Sequence, residues 1–285
     1  MTSRRPYQIK IFVPSGDPEG LRTIEKSNWN GCGLVFPRAL LADAKKRKEL
    51  NRTGVYLLVG PAEESGLPQV YIGEGDPIRP RLEQHAVKKD FWTTCIAFTS
   101  KDENLNKAHV QHLESRLYAI AAEGKRCSLH NGNVPQRPSL SEAEAAESEG
   151  FLDEVLLCLP LLGVRLQLDE ATPARPRVAL VIHAKGIEAT GSETSQGFVV
   201  WGGSRAAAAE VPSCPGPIKS MRAVLIKNGV LAADAQSLRF TQDYVFPSPS
   251  GAACVVLGRS ANGRTEWKTK EGKSLKALQD AEAKA

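Results

Sequence analysis

Two short apolar runs, each pairing a tyrosine with a glycine, constrain this chain most: Gly54-Val55-Tyr56-Leu57-Leu58-Val59 and Gln69-Val70-Tyr71-Ile72-Gly73. Each has the length and β-branched or aromatic content of a buried strand. The connection from Gly60 to Pro68 is turn-rich and too short for a crossover, so the strands are expected to pair antiparallel. Tyr56 and Tyr71 then lie on adjacent strands with their hydroxyls in reach of one site. Pro80–Lys88 reads as a short helix and Trp92–Thr99 as a third strand. Ala108–Ala122 is the best helix of the region, because Val110, Leu113, Leu117 and Ile120 recur at three- and four-residue steps and form one apolar stripe.

Chemistry-bearing residues follow these strands in a fixed order. Arg79, Arg81 and His85 come directly after the second strand, then Lys88 and Lys89; Glu114 sits on the striped helix, and Asn131 and Asn133 lie in Leu129-His130-Asn131-Gly132-Asn133. In order and spacing the set resembles the GIY-YIG nuclease family, with Val55 standing conservatively for the isoleucine of the first triplet. The resemblance implies an α+β fold, with a small antiparallel sheet flanked by helices over residues 51–139. It implies a metal-dependent endonuclease that hydrolyses DNA phosphodiester bonds, using Mg²⁺ or Mn²⁺.

The resemblance also assigns roles. Tyr56 and Tyr71 orient the attacking water, one of them as general base. A phenol with an ordinary pKa of about 10 needs help from a nearby cation for that task. Arg81, in the run Arg81-Leu82-x-x-His85, clamps phosphate; its guanidinium makes bidentate contacts and stays charged, with Arg79 the competing choice. His85, one helical turn on, contacts phosphate or relays a proton. Glu114 is the metal ligand, since a lone carboxylate suits an ion that keeps most of its water, and the ion stabilises the departing 3′ oxygen. Asn131, with Asn133 close behind, closes and orients the site. His109 and His112 on the same helix offer a remoter transition-metal alternative.

The remaining segments read as follows. Residues 1–50 form an α+β preface: a strand at Gln8–Val13, another around Leu34–Phe36, and a helix from Pro37 running into Lys45–Lys48. Residues 140–175 form a helical connector, capped at Ser141 with Glu144 three residues on, with a boundary at Pro173 and Pro176. Residues 176–285 form a second small α+β module, expected to bind DNA. Its strands are placed at Val178–His183 and Gly197–Trp201, with a hairpin across Phe240–Phe246, a helix capped by Ser250, a strand at Gly263–Trp267 and a frayed tail from Ala277.

Over residues 217–275 the chain resembles a domain of unknown function that commonly follows such nuclease domains in bacterial proteins. The strings that carry this are Phe240–Phe246, Ser248-Pro249-Ser250-Gly251-Ala252-Ala253, Asn262-Gly263 and Trp267-Lys268. Six basic residues against two acidic ones between Arg259 and Lys276 make Arg264, Trp267 and Lys268 candidates for holding a phosphate backbone with aromatic support. Gly202-Gly203-Ser204-Arg205 is a weaker candidate for a phosphate nest.

A net charge of +5 suits a polyanionic partner without requiring one. The six cysteines are dispersed with no CxxC pair, which argues for reduced thiols rather than a zinc ribbon. The first ten residues lack an apolar core segment, and the longest apolar run, near Val155–Val164, is interrupted by Pro160. The expectation is a cytoplasmic protein with no membrane contact. DNA is the expected partner. A single site cuts one strand per encounter, so a double-strand cut calls for a homodimer or a second visit. The alternative is a catalytically inactive nucleic-acid binder, or a protein-interaction adaptor in a defence or repair complex that docks through the acidic helix at Glu142–Asp153.

Overall fold

The computed structural model describes residues 6–62, 67–167, 178–184 and 186–283. The chain is α+β, with several sheets and helices. It divides into two compact units, the first running to Gln167; the boundary expected at Pro173 and Pro176 lies outside the described residues. Among the described residues no helix is long and apolar enough to cross a membrane.

The first unit is built on a seven-stranded sheet. In chain order its elements are β1 (Ile9–Phe12), β2 (Arg22–Lys26), β3 (Gly31–Pro37), the short α1 (Leu41–Ala44), β4 (Gly54–Ala62), β5 (Pro68–Gly75), α2 (Ile78–Lys88), β6 (Thr94–Ser100), α3 (Lys107–Gly124), β7 (Ser128–Leu129) and α4 (Glu142–Cys158). The spatial order is β1-β2-β3-β6-β4-β5-β7, antiparallel throughout except for the β5–β7 pair. β4 lies inside the sheet between β6 and β5. Being covered on both faces, it reads as an unbroken apolar run rather than an alternating one.

The two faces carry separate cores. Val55, Leu57, Val70, Ile72, Ile96 and Phe98 pack against Val110, Leu113 and Leu117 of α3 and Phe151, Leu152 and Val155 of α4. On the other face Tyr56, Leu58, Leu34 and Phe36 pack with Ile78 and Leu82 of α2 and with Trp92. The strands of residues 1–50 belong to this same sheet, because β3 pairs with β6 over seven residues. β2 was not anticipated; its Arg-Thr-Ile-Glu-Lys sequence carries one fully buried apolar side chain, Ile24. The helix foreseen in the connector is α4. Its capping box is present, with Ser141 accepting from the Glu144 N–H and the Glu144 carboxylate accepting from the Ser141 N–H, and it packs into the core of the first unit.

The second unit contains β8 (Leu180–Ala184), β9 (Ile187–Thr194), β10 (Gly197–Val200), β11 (Arg205–Ala207), α5 (Gly216–Lys227), β12 (Leu231–Asp234), β13 (Ser237–Phe240), β14 (Tyr244–Phe246), α6 (Pro249–Leu257), α7 (Gly263–Glu266) and α8 (Leu275–Glu282). One sheet has the order β14-β10-β9-β8 and the other β11-β13-β12. The expected hairpin at 240–246 is therefore not one: β13 and β14 lie in different sheets. α6 is capped by Ser248, whose hydroxyl accepts from the Gly251 N–H, rather than by Ser250. Gly263–Glu266 is a helical turn capped by Asn262, not a strand, and the supposedly frayed tail forms α8, with Leu275 buried.

Candidate active site

The two tyrosines belong to neighbouring strands whose register puts Tyr56 opposite Gly73 and Leu58 opposite Tyr71. Residues directly opposite share a face, so Tyr56 and Tyr71 are diagonal neighbours on the α2 side of the sheet. The Tyr56 ring crosses over Gly73: a Cβ there would stand 2.5 Å from both Cζ and Oη of Tyr56. Gly54 answers a similar constraint, since a Cβ on it would lie 2.2 Å from the Phe98 carbonyl oxygen. The glycines of the two triplets thus let a phenol and a neighbouring strand approach the backbone closely.

α2 supplies the next groups. Its apolar face carries Ile78 and Leu82 into the core, and the same face brings in His85, which is 9% exposed. His85 Nε2 is hydrogen-bonded to the Tyr56 hydroxyl at 2.9 Å. The Tyr71 ring meets the imidazole edge-on, with centroids 4.7 Å apart, and lies 6.3 Å from the Tyr56 ring, centroid to centroid. Tyr71, Tyr56 and His85 therefore form one cluster of rings, with the Tyr56–His85 hydrogen bond inside it. Lys89 lies just beyond the helix, its ammonium 4.5 Å from the centre of the Tyr71 ring.

The open edge of β5 makes the cleft. β7 pairs only with Gln69 and Val70, and the His130 N–H continues that ladder to the Val70 carbonyl. Beyond it the side chain of Asn131 takes the place of a strand: its Oδ1 accepts from the Ile72 N–H at 3.0 Å and its Nδ2 donates to the Ile72 carbonyl at 2.7 Å. The resulting cleft, of about 380 Å³, is lined by Tyr71, His85, Lys89, Glu114, Asn131 and the loop through Asn133. Asn131 thus holds the strand that carries Tyr71, and most of its amide capacity is committed to that backbone.

Glu114 enters this cleft from α3. It is half-buried and has no hydrogen bond or ion pair among the described residues. Burial, followed by the charge of Glu74, raises its pKa to about 7, while Arg81 and Lys107 oppose the shift. Glu74 was not foreseen from the sequence. It follows Gly73 directly and alternates with it, so it faces α3 as Ile72 does. Both its carboxylate oxygens accept from the Lys107 ammonium, at 2.5 and 2.7 Å.

The electrostatics revise the expected division of labour. Burial pushes the Tyr56 phenol well above its ordinary value, and burial together with the Glu114 charge raises Tyr71. Neither tyrosine is a phenolate at neutral pH in this structure. His85 moves the other way, to about 4, through burial and then the charges of Lys89, Arg81 and Lys88, so its imidazole is neutral. Arg81 is exposed on α2, and its charge is felt at Tyr56, Tyr71, His85 and Glu114. Arg79 is held by Glu83 at 3.1 Å, which distinguishes the two arginines by geometry.

A divalent cation fits the donor set. The cleft offers one partnerless carboxylate at Glu114, and no trio of His, Cys, Asp or Glu with metal-holding geometry occurs among the described residues. A single inner carboxylate with water completing the shell is how Mg²⁺ is commonly held. His109 and His112 make no joint metal site. His109 completes the capping box of α3 with Asn106, and His112 Nε2 is hydrogen-bonded to Glu149 at 2.7 Å.

In the second unit Trp267 is fully buried. Its ring centroid lies 4.6 Å from that of Phe198, and its indole N–H donates to the Pro249 carbonyl at 3.0 Å. It belongs to the core and offers no face to a nucleobase, which corrects its assignment as a nucleic-acid contact. Arg264 and Lys268 are exposed, though Arg264 already donates to Gln279 at 2.8 Å and to Asp280 at 3.4 Å. The supposed nest is also occupied: the Gly202 N–H donates to the Asp243 carboxylate at 2.7 Å.

Residues 180–279 match the family model of a domain of unknown function (DUF4357). That stretch takes in residues 217–275, where the sequence resembles such a domain. No curated protein and no solved structure matches the chain.

Proposed function

We propose that the chain is a metal-dependent endonuclease that hydrolyses DNA phosphodiester bonds through a GIY-YIG-type site in its first unit. One observation carries this reading: Tyr71, His85, Glu114 and Asn131, from four separate stretches of sequence, line a single cleft, with Tyr56 linked to His85 behind them.

The cluster offers a proton path from Tyr71 through Tyr56 to His85. Tyr71 faces the cleft and can hold the attacking water. As that water bonds to phosphorus and the bond from phosphorus to the 3′ oxygen breaks, the water's proton passes to the Tyr71 oxygen, the Tyr71 proton to Tyr56 and the Tyr56 proton to His85 Nε2, while the departing 3′ oxygen takes a proton from solvent. Two phenols act as relays, and the neutral imidazole is the final acceptor. His85 resists protonation in the empty cleft, and an anionic phosphodiester beside it raises its affinity for that proton. Arg81 and Lys89 supply positive charge around the phosphate. Held at Glu114, a divalent cation would add charge stabilisation for the phosphate and its leaving oxygen. The second unit would contribute DNA contacts through Arg264 and Lys268, because a small catalytic sheet has little surface for reading bases.

The adaptor reading draws less support. The acidic helix α4 commits Glu144 to its own cap, Glu149 to His112 and Arg116, and Glu154 to Lys26, which leaves fewer free carboxylates for docking. Cleavage of supercoiled plasmid in Mg²⁺ or Mn²⁺ is the test. Wild-type protein should nick it, and Glu114→Ala should lose at least a hundredfold in rate, a loss on the order of that from removing one key charge-stabilising group. Undiminished cleavage by Glu114→Ala would remove Glu114 from its role. DNA binding without any cleavage by the wild type would favour the inactive binder.

A further inference from the structure

We infer that Glu74 is a positioning residue whose task is to hold Lys107 away from Glu114, so that Glu114 stays open to a divalent cation. The inference deepens the nuclease reading and rests on it. Lys107 and Glu114 stand seven residues apart on α3, which places them on one helix face about 10 Å apart along the axis. A free lysine at that place would have the partnerless carboxylate of Glu114 as an available counter-charge. Glu74 intercepts it from the facing strand, with both oxygens on the ammonium at 2.5 and 2.7 Å.

The asymmetry in burial supports this order of events. Glu74 is 8% exposed and fixed by the strand, whereas the Lys107 side chain is 52% exposed and held chiefly at its tip. Glu74 and Lys107 are, with Arg81, the charged neighbours felt at Glu114. Without the pair's mutual neutralisation, Glu114 would face either a bare second anion or a competing cation. A buried carboxylate deprived of its ion partner is costly, which is why a lysine accompanies Glu74 at all. With the two joined, Lys107 is spoken for while Glu74 still outweighs it at Glu114, so the carboxylate of Glu114 stays open, without an ion partner among the described residues.

The test is Mn²⁺ binding to the full chain, without DNA, followed by calorimetry and by the electron paramagnetic resonance signal of free Mn²⁺. Glu74→Gln frees Lys107 and should weaken Mn²⁺ binding about tenfold. Adding Lys107→Met to Glu74→Gln should restore binding to within about threefold of wild type, a rescue that a merely structural role for Glu74 does not produce. Lys107→Met alone leaves an extra anion near Glu114 and should bind Mn²⁺ at least as tightly as wild type; its exposed position keeps the test valid if Glu74→Gln folds poorly. Unchanged binding in a folded Glu74→Gln, failure of the double variant to recover, or weaker binding in Lys107→Met overturns the inference. Wild-type protein that binds no Mn²⁺, or binds it equally well as Glu114→Ala, overturns the nuclease reading instead, and the inference with it.

Discussion

At the scale of single residues, the cleft is defined by groups held in states they would not adopt in water. Glu114 is the clearest case, its pKa raised to about 7 by burial and by Glu74 from an ordinary 4.5. Between those values the folded chain keeps a proton that the unfolded chain has released. Stability from this group is therefore lost as pH rises through the window, and the full cost is present above pH 7. Glu114→Gln removes the charge but keeps the shape. In metal-free buffer it should raise Tm at pH 8 by about 3 °C, the shift that about 1 kcal/mol gives in a domain of this size, and should leave Tm at pH 4 unchanged. A calorimetric scan at the two pH values decides it, and an equal gain at both would sink the account.

The same scale explains what was legible. Tyr56, Tyr71, His85, Glu114 and Asn131 could be named because their order and spacing resemble a known family's, and close contacts now explain Gly54 and Gly73 of the two tyrosine triplets. Glu74 and Lys107 carried no such signal. Each looks like an ordinary strand or helix-end charge until the two elements are brought face to face.

At the scale of elements, the site depends on where a strand stops. β7 pairs with only two residues of β5, and the Asn131 side chain completes the edge beside Tyr71 with two hydrogen bonds to Ile72. Asn131→Ala should destabilise the first unit by about 1–3 kcal/mol, the net worth of two such bonds. Asn131→Asp should not rescue it, because a carboxylate can accept from the Ile72 N–H but repels the Ile72 carbonyl. Urea unfolding followed by tryptophan fluorescence measures both variants; wild-type stability in Asn131→Asp would refute the strand-mimic role.

Elements with strong local patterns were readable: the α3 stripe, the α4 capping box and the apolar runs of β4 and β5. Those that depend on partners were not. β2 is largely polar and finds its place by pairing between β1 and β3. Gly263–Glu266 is too short for any periodicity, and its helical turn is decided by the Asn262 cap. Phe240 and Tyr244 are close in sequence, yet their strands enter different sheets.

At the scale of the whole molecule, the question is where a polyanion would be held. Charge alone gives little guidance, because +5 over 285 residues is modest. On the proposed reading the candidates are Lys89, which lines the cleft, the exposed Lys88 before it at the end of α2, and the exposed Arg264 and Lys268 of the second unit. Each phosphate contact contributes about 0.9 to the slope of log K against log salt. Lys88→Ala with Lys89→Ala should lower the magnitude of that slope by about 2, measured by duplex binding across a salt series in Ca²⁺ to suppress cleavage. Arg264→Ala with Lys268→Ala should lower it similarly if the second unit grips the backbone. An unchanged slope in the first pair would move the DNA path away from α2.

The sequence by itself determined the pairing of the two tyrosine strands, and its resemblance to a known family pointed to the α+β class and to Tyr71, His85, Glu114 and Asn131, which the cleft brings together. The strand pairing follows from short-range regularities, apolar runs and turn chemistry, which act between near neighbours in the chain. Only the tertiary structure decided that the first fifty residues share the sheet, that Trp267 is core rather than surface, that Asn131 substitutes for a strand, and that Lys107 is paired with Glu74 beside Glu114. Each of these is a contact between distant segments. Its outcome rests on burial and on the mutual satisfaction of polar groups, and neither exists until the chain has folded.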